Sequence, residues 1–353
     1  MLKIIKRDDV SKRQSILIRF MAIALSLVFS GVFILILGYN PIEVFGNMVI
    51  GALGTEMRIK ETIIKAIPLI ITSLGILVAF KMKFWNIGGE GQIIMGAFAA
   101  TYIALNYADD FSRPVVLILM MLAAMITGGI WAFIPAFFKV KFGTNETIFT
   151  LMMNYIALKW VTYLQYGPWK DPNSQGFPKV ANFEVNAVLP SLFGIHIGWI
   201  IAILLTVLIY IFMNYTKRGY EITVVGESID TAKYAGMNIK AIVITAMLIS
   251  GGLCGLTGMI QASAIERTLT VSLSGGYGFT AIITTWLSNL KAPFVLLTSL
   301  AFAVLLQGGS YIQIAMQVPS SVADMIQGMI LFFVLGSEFF IRYTIALKTK
   351  EVA

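Results

Sequence analysis

Charge and thiol chemistry are both scarce in these 353 residues. One cysteine (Cys254) and one histidine (His196) exclude an intrachain disulfide and the Cys/His clusters that hold zinc. Asp, Glu, Lys and Arg together make up 12% of the chain, about half the share of an ordinary soluble domain. The sequence also lacks a G-x-x-x-x-G-K-[ST] phosphate loop, an H-E-x-x-H pair and a G-x-S-x-G elbow. Nucleotide hydrolysis and the familiar hydrolase chemistries therefore have no residues to run on, and no catalytic residue, metal site or bound cofactor is expected.

What fills the chain instead is apolar: 58% of residues are hydrophobic and the mean hydropathy is +0.84. Nearly charge-free windows long enough to cross a ~30 Å hydrocarbon core recur at 20–38, 61–80, 91–106, 115–138, 146–166, 197–214, 241–265, 276–290, 293–312 and 322–341. Runs such as "VLILMMLAAMITGGIWAFIPAFF" do not alternate as barrel strands must. An all-α membrane protein with about ten transmembrane helices is expected.

Orientation follows from the cations. With a cytoplasmic N-terminus, 18 of the 26 Lys and Arg residues fall on the inside, so both termini are expected in the cytoplasm. The net charge of +8 is then explained by loops beside anionic membrane lipid, and no nucleic-acid polymer is needed as a partner. The first span follows a basic leader and precedes "GYNPIEVF", which has no small-residue cleavage site, so a retained anchor is expected.

The chain divides into a segment 1–60 with the first span and an outer loop, a first four-helix block 61–166, a stretch 167–240, a second four-helix block 241–341 and a cytoplasmic tail 342–353. "GGEG" at 88–91 is echoed by "GGYG" at 275–278, each ahead of an apolar helix and one span into its block. The two blocks enter the membrane from opposite sides, which is the pattern of inverted repeats in transporters. The outer loop 167–196 carries four prolines and interleaved aromatics, and reads as an ordered lid or docking platform. In the stretch 167–240, "SIDTAKYAGM" has the marks of a short helix: Ser228 to cap it, Asp230 in its first turn and Gly236 to end it.

The stretch "FWNIGGEGQIIMGAF" at 84–98 sets Glu90 among three glycines, Gly88, Gly89 and Gly91, where charge is expensive. Irregular backbone at membrane depth is tolerated only inside protein or beside a cavity, so Glu90 and Gln92 are expected to face protein or water, with Asn86 able to cap the next helix. Glu90 either caps free N–H groups at a helix start or lines a solute path. The candidate path residues are Asn86, Glu90, Gln92, Asn154, Gln261, Thr284, Thr285, Ser288 and Gln307, with Trp85 and Trp286 as stacking surfaces. Each polar group among them also suits a helix–helix hydrogen bond. Gly251, Gly255, Gly258 and Ala262 fall on one helix face at small-residue spacing, which is a packing signature.

"FWNIGGEGQIIMGAF", "GTNETIFTLMMNYIA" at 143–157 and "VVGESIDTAKYAGMNIKAIVITAMLISGGLCGLTGMIQ" at 224–261 together resemble the permease subunit of bacterial ATP-binding cassette importers. The family is that of branched-chain amino acid and ribose permeases, and the Asn-Ile-Gly-x-Glu-Gly-Gln pattern at 86–92 points to its nucleoside or simple-sugar branch. The resemblance implies alternating access in the bacterial cytoplasmic membrane, a second permease subunit as partner in a heterodimer, and an external substrate-binding lipoprotein. It also implies that ATP is used by a separate cytoplasmic ATPase, docked on 226–237 with Glu227, Ala232, Lys233, Tyr234, Ala235 and Gly236 at the contact. Import of simple sugars or amino acids, ion-coupled secondary transport, and a membrane-embedded enzyme or scaffold are the competing readings.

Overall fold

The computed structural model of the chain describes residues 2–6, 11–172, 174, 176 and 178–347. Arg7 from the basic leader, positions 173, 175 and 177 of the outer loop, and residues 348–353 of the tail lie outside the described residues. The helices run in the order α1 (Lys12–Ile36), α2 (Pro41–Leu53), α3 (Glu56–Lys81), α4 (Gly89–Tyr107), α5 (Arg113–Phe142), α6 (Glu146–Tyr166) and α7 (Gly198–Tyr215). They continue with α8 (Lys217–Glu227), α9 (Ile229–Tyr234), α10 (Ile239–Ile260), α11 (Tyr277–Leu287), α12 (Ala292–Ala315) and α13 (Ser320–Arg342). Strand content is slight: β1 (Leu2–Lys6) pairs antiparallel with β4 (Tyr343–Leu347), and β2 (Ser191–Leu192) with β3 (Ile195–His196). This is an all-α membrane protein.

Every expected span coincides with a helix, but not every helix is a complete crossing. Among the described residues five helices are long and apolar enough alone: α3, α5, α7, α12, and α10 extended to Glu266 by a π-helical turn over Gln261–Glu266. Phe20–Ile36 and α2 make a sixth candidate only as a pair bent by 116°. The expected span 276–290 is corrected to α11, whose 11 residues rise only about 16 Å, half the hydrocarbon thickness. Two helices were not expected. Asn40 caps α2 by accepting from the Ile42 N–H, with Pro41 at its first position, and Thr216 caps α8 by accepting from the Gly219 N–H.

Two compact units result: residues 63–303, and residues 1–62 together with 304–353. In the second, Ile34, Val44, Met48, Ile312, Val322 and Ile326 form a buried apolar cluster, and the β1–β4 ladder brings the two chain ends side by side. The first is built on α4, α5 and α10, which approach backbone to backbone. A Cβ at Gly251 would overlap the Gly128 carbonyl of α5, one at Gly255 the Ala124 carbonyl, and one at Gly258 the Ile93 carbonyl of α4. Ala262, in the π-helical turn, is fully buried as well. Without a hydrophobic driving force between helices in lipid, such close packing is the main source of cohesion.

Gly258→Ala therefore adds a methyl group where backbone atoms cannot yield. Purified Gly258→Ala protein is expected to unfold at lower temperature, by the 1–3 kcal/mol or so typical of overpacking, and to lose its monodisperse peak in size-exclusion chromatography. Gly46→Ala on α2, where nothing lies within 4 Å of the added carbon, is expected to behave as wild type.

Candidate functional site

α3 ends at Lys81, and the chain folds back through 82–88 with Lys83 in the left-handed region (φ 58°) before α4 begins. Asn86 does not cap α4. Its Oδ1 accepts from Gly88 N at 3.1 Å and Gln92 Nε2 at 3.0 Å, while its Nδ2 donates to Gln92 Oε1 at 3.2 Å and to Ser250 Oγ on α10 at 3.0 Å. The reason is geometric: Gly88 occupies the cap position, so Asn86 sits two residues too early and shapes the turn instead. The capping side chain comes from α6. Asn154 Oδ1 accepts from Gly91 N at 2.8 Å, and its Nδ2 donates to the Ile87 carbonyl at 2.9 Å.

The start of α11 repeats this arrangement with Glu90 as the accepting side chain. Glu90 Oε1 accepts from Gly276 N at 2.9 Å and Oε2 from Gly278 N at 2.7 Å, with the Ser274 hydroxyl as a further donor. The two Gly-Gly motifs thus meet, N-terminus to N-terminus, and the carboxylate sits at the positive ends of two helix dipoles. Gly276 is left-handed (φ 75°), and a Cβ on Gly278 would overlap the Glu90 backbone, so both positions demand glycine. Beside them the Gln261 Nε2 is buried without a hydrogen-bond partner.

Farther along α11, Thr284 bonds to Ser73 Oγ of α3, Thr285 Oγ1 donates to the Ser73 carbonyl at 3.0 Å, and Ser288 Oγ donates to the Thr285 carbonyl at 2.7 Å. Trp85 and Trp286 come together, ring centroids 5.6 Å apart, with Phe80 5.4 Å from the first and 5.7 Å from the second. Trp85 stays 45% exposed. Gln307 belongs to the other unit, where its Nε2 donates to Glu61 at 2.9 Å. Sequence reasoning missed Ser73, Ser250 and Ser274, whose hydroxyls complete these bonds, and Thr150, whose Oγ1 accepts from Ile87 N at 3.2 Å. It also missed Lys159, an exposed lysine on the face of α6 that carries Tyr155, Trp160 and Tyr163. A lysine 13 positions after Glu146 in an apolar window is a legible signal.

α9 forms as its signals indicate. Ser228 Oγ accepts from Thr231 N at 3.2 Å, Asp230 lies in the first turn, and Gly236 follows in the left-handed region (φ 71°). Ala232 is buried against the body, whereas Glu227, Lys233, Ala235 and Gly236 are exposed and Tyr234 is 98% exposed. α8 anchors α9 to the transmembrane core: a Cβ at Gly226 would overlap the Lys81 carbonyl at the end of α3.

On the opposite loop, 178–190 is ordered by bonds to helix ends. Arg113 Nε and Nη2 donate to the Val188 carbonyl at 3.0 and 2.7 Å, Ser263 Oγ donates to the Ala187 carbonyl at 2.6 Å, and Thr268 Oγ1 donates to the Val180 carbonyl at 2.9 Å. His196 closes the β2–β3 hairpin against Gly198, with neither ring nitrogen partnered, and burial lowers its pKa to about 4. Among the described residues no group of three or more His, Cys, Asp or Glu is placed to hold a metal ion.

The family model for the permease component of branched-chain amino acid transport systems matches residues 58–335. A glucose ABC transporter permease protein of Haloferax volcanii is 33% identical over 91% of this chain and 87% of its own length. A guanosine ABC transporter permease protein of Bacillus subtilis is 30% identical over 98% of this chain and 99% of its own length. A nucleoside ABC transporter permease protein of Lactococcus lactis is 30% identical over 92% of both chains. No solved structure matches the chain.

Two outcomes are expected from this geometry. Because each Glu90 oxygen faces an N–H, Glu90→Gln must turn its NH₂ toward one donor, and the purified variant is expected to lose about 1–3 kcal/mol in thermal unfolding, with Glu90→Ala losing more. His196 is neutral in the fold and binds a proton at pH 6.5 or below once released, so loop opening is favoured as pH falls from 6.5 toward 4 and absent above it. Hydrogen exchange at 191–197, corrected for intrinsic rate, is expected to accelerate over that window in wild type and to stay flat in His196→Gln.

Proposed function

Since the chain belongs to the family of permease components of branched-chain amino acid transport systems, we propose that it imports nucleosides as one subunit of an ATP-driven complex in the bacterial cytoplasmic membrane. A multi-pass transporter component without a phosphate loop depends on a separate ATPase for its energy, and ATP is the cofactor of that partner. The observation that carries the reading is the meeting of α4 and α11 through Glu90. Broken helices whose N-termini converge within the membrane are how transporters build a site that two repeats can open alternately. The repeats here are the blocks 61–166 and 241–341, each containing one of the Gly-Gly starts.

The hydrogen bonds sort the path candidates. Asn86, Gln92, Asn154, Thr284, Thr285 and Ser288 bond to protein and act as positioning residues for the broken starts. Glu90 holds α11. The candidates left for a solute are Gln261, whose Nε2 is buried without a hydrogen-bond partner, and the 45% exposed Trp85, which packs on Trp286 and whose flat face suits a nucleobase. Nucleosides are favoured by the two nucleoside-named relatives and by the pattern at 86–92. The glucose-named relative supports a second reading, sugar import, on the same scaffold.

The exposed surface of α9 is the docking point for the ATPase, and the exposed α6 face with Lys159 is where the second permease sits, since a bare lysine within a span is poorly solvated by lipid. An external binding lipoprotein delivers solute to the ordered outer loop. Alternating access then follows from ATPase closure moving α9 and, through Gly226, the end of α3.

In cells expressing the whole complex, radiolabelled guanosine uptake is expected to be competed by unlabelled nucleosides and not by glucose; the reverse pattern selects the sugar reading. Ala235→Arg is expected to leave membrane insertion intact, to lose co-purification of the ATPase and to abolish uptake. The chain reconstituted alone is expected not to accumulate solute under a proton or sodium gradient, and gradient-driven accumulation would overturn the assignment.

A further inference from the structure

The functional reading leaves a cavity of mixed chemistry unexplained. It lies within the 63–303 unit, encloses about 440 Å³, and is bounded by the end of α3, the α7–α8 corner and the α11–α12 turn. Its lining is divided by chemistry. Lys81, Lys291 and the exposed Tyr220 give it two cations and a phenol, whereas Leu77, Met213 and Phe294 give it an apolar wall. No carboxylate lines it, and neither lysine has an acidic partner among the described residues. The first turn of α12, Ala292 to Phe294, also opens onto it, adding the positive end of a helix dipole. The turn that presents Lys291 is tightly drawn, with Asn289 and Leu290 both left-handed (φ 52° and 54°).

We infer that this cavity binds the phosphate-bearing headgroup of an anionic membrane phospholipid. Two uncompensated ammonium groups in one pocket repel each other and call for an anion. The phosphate could arrive free or on a lipid; the apolar wall decides for the lipid, because a free phosphate gains nothing from Leu77, Met213 and Phe294 whereas the glycerol and upper acyl carbons do. By the distribution of lysine and arginine this end of the helices faces the cytoplasm, where the leaflet is anionic. The cavity touches α8 through Tyr220 and Thr223, three residues from the Gly226 contact, so an occupied headgroup braces the corner that carries α9. This inference does not depend on which solute is carried.

The test is native mass spectrometry of the full-length chain, delipidated and then titrated with phosphatidylglycerol or phosphatidylcholine of the same acyl composition. Wild type is expected to retain one phosphatidylglycerol with about ten-fold preference or more over phosphatidylcholine. The double variant Lys81→Gln/Lys291→Gln is expected to lose that preference, and Lys217→Gln/Lys240→Gln, which removes two exposed lysines outside the cavity, to keep it. Lys291→Gln alone, on an exposed turn, is expected to weaken retention several-fold and serves if the double variant does not fold. Unchanged preference in Lys291→Gln or in a folded double variant would overturn the site. Displacement of the lipid by millimolar inorganic phosphate would overturn the assignment to lipid.

Discussion

A peptide N–H inside a membrane must find an acceptor, and a helix that begins there presents several with none of its own. The unit formed by residues 63–303 answers with a relay of side chains. Asn154 of α6 caps α4, and Glu90, one residue before the glycine so capped, caps α11. Neither helix start is self-sufficient: α4 is held by a side chain of α6, which follows it in the chain, and α11 by one of α4, which precedes it. The carboxylate is the stronger acceptor of the two and serves the shorter helix, which has less packing to fix its position. A broken helix held in this way has a defined start that can still be released, whereas a continuous one would need its backbone bonds opened to move.

Around that relay the rest of the unit is rigid. Backbone contact among α4, α5 and α10 leaves no side chain to deform at Gly251, Gly255 and Gly258, and interiors packed this closely rearrange as bodies. The polar groups that line the turns are bonded to each other. What remains for chemistry with other molecules is therefore limited in extent: an aromatic pair at the end of α3 and α11, an unpartnered amide at the π-helical turn, the outer loop, and the exposed side of α9. On the proposed reading, solute and ATPase are met by different groups of these residues, joined by a stiff middle.

The residues show unevenly how much of this was legible. Apolar windows located α6 and α7 and the end of α3 almost to the residue, because burial in lipid writes itself into consecutive positions. α9 was legible from Ser228, Asp230 and Gly236, because caps are local. Hydropathy could not separate a half crossing from a full one at α11, since both are apolar. α2 and α8 escaped because one reads as the continuation of a loop and the other is too polar to stand out. The partner of Glu90 lies 186 residues away in sequence, and no local pattern encodes such a pairing. The echo of "GGEG" in "GGYG" hinted at it, and only the fold shows that the two motifs touch.

The contact of Gly226 with the Lys81 carbonyl has a further consequence. It joins two backbones directly, so there is no side chain through which the joint can be adjusted: every replacement at 226 adds atoms where there is no room. The parts on either side are under no such restriction, since Tyr234 stands almost wholly in solvent and Trp85 is nearly half exposed. Space for substitution is thus left at Tyr234 and Trp85 and barred at 226. On the coupling proposed above, the cargo and motor surfaces can change independently while the backbone joint between them stays the same.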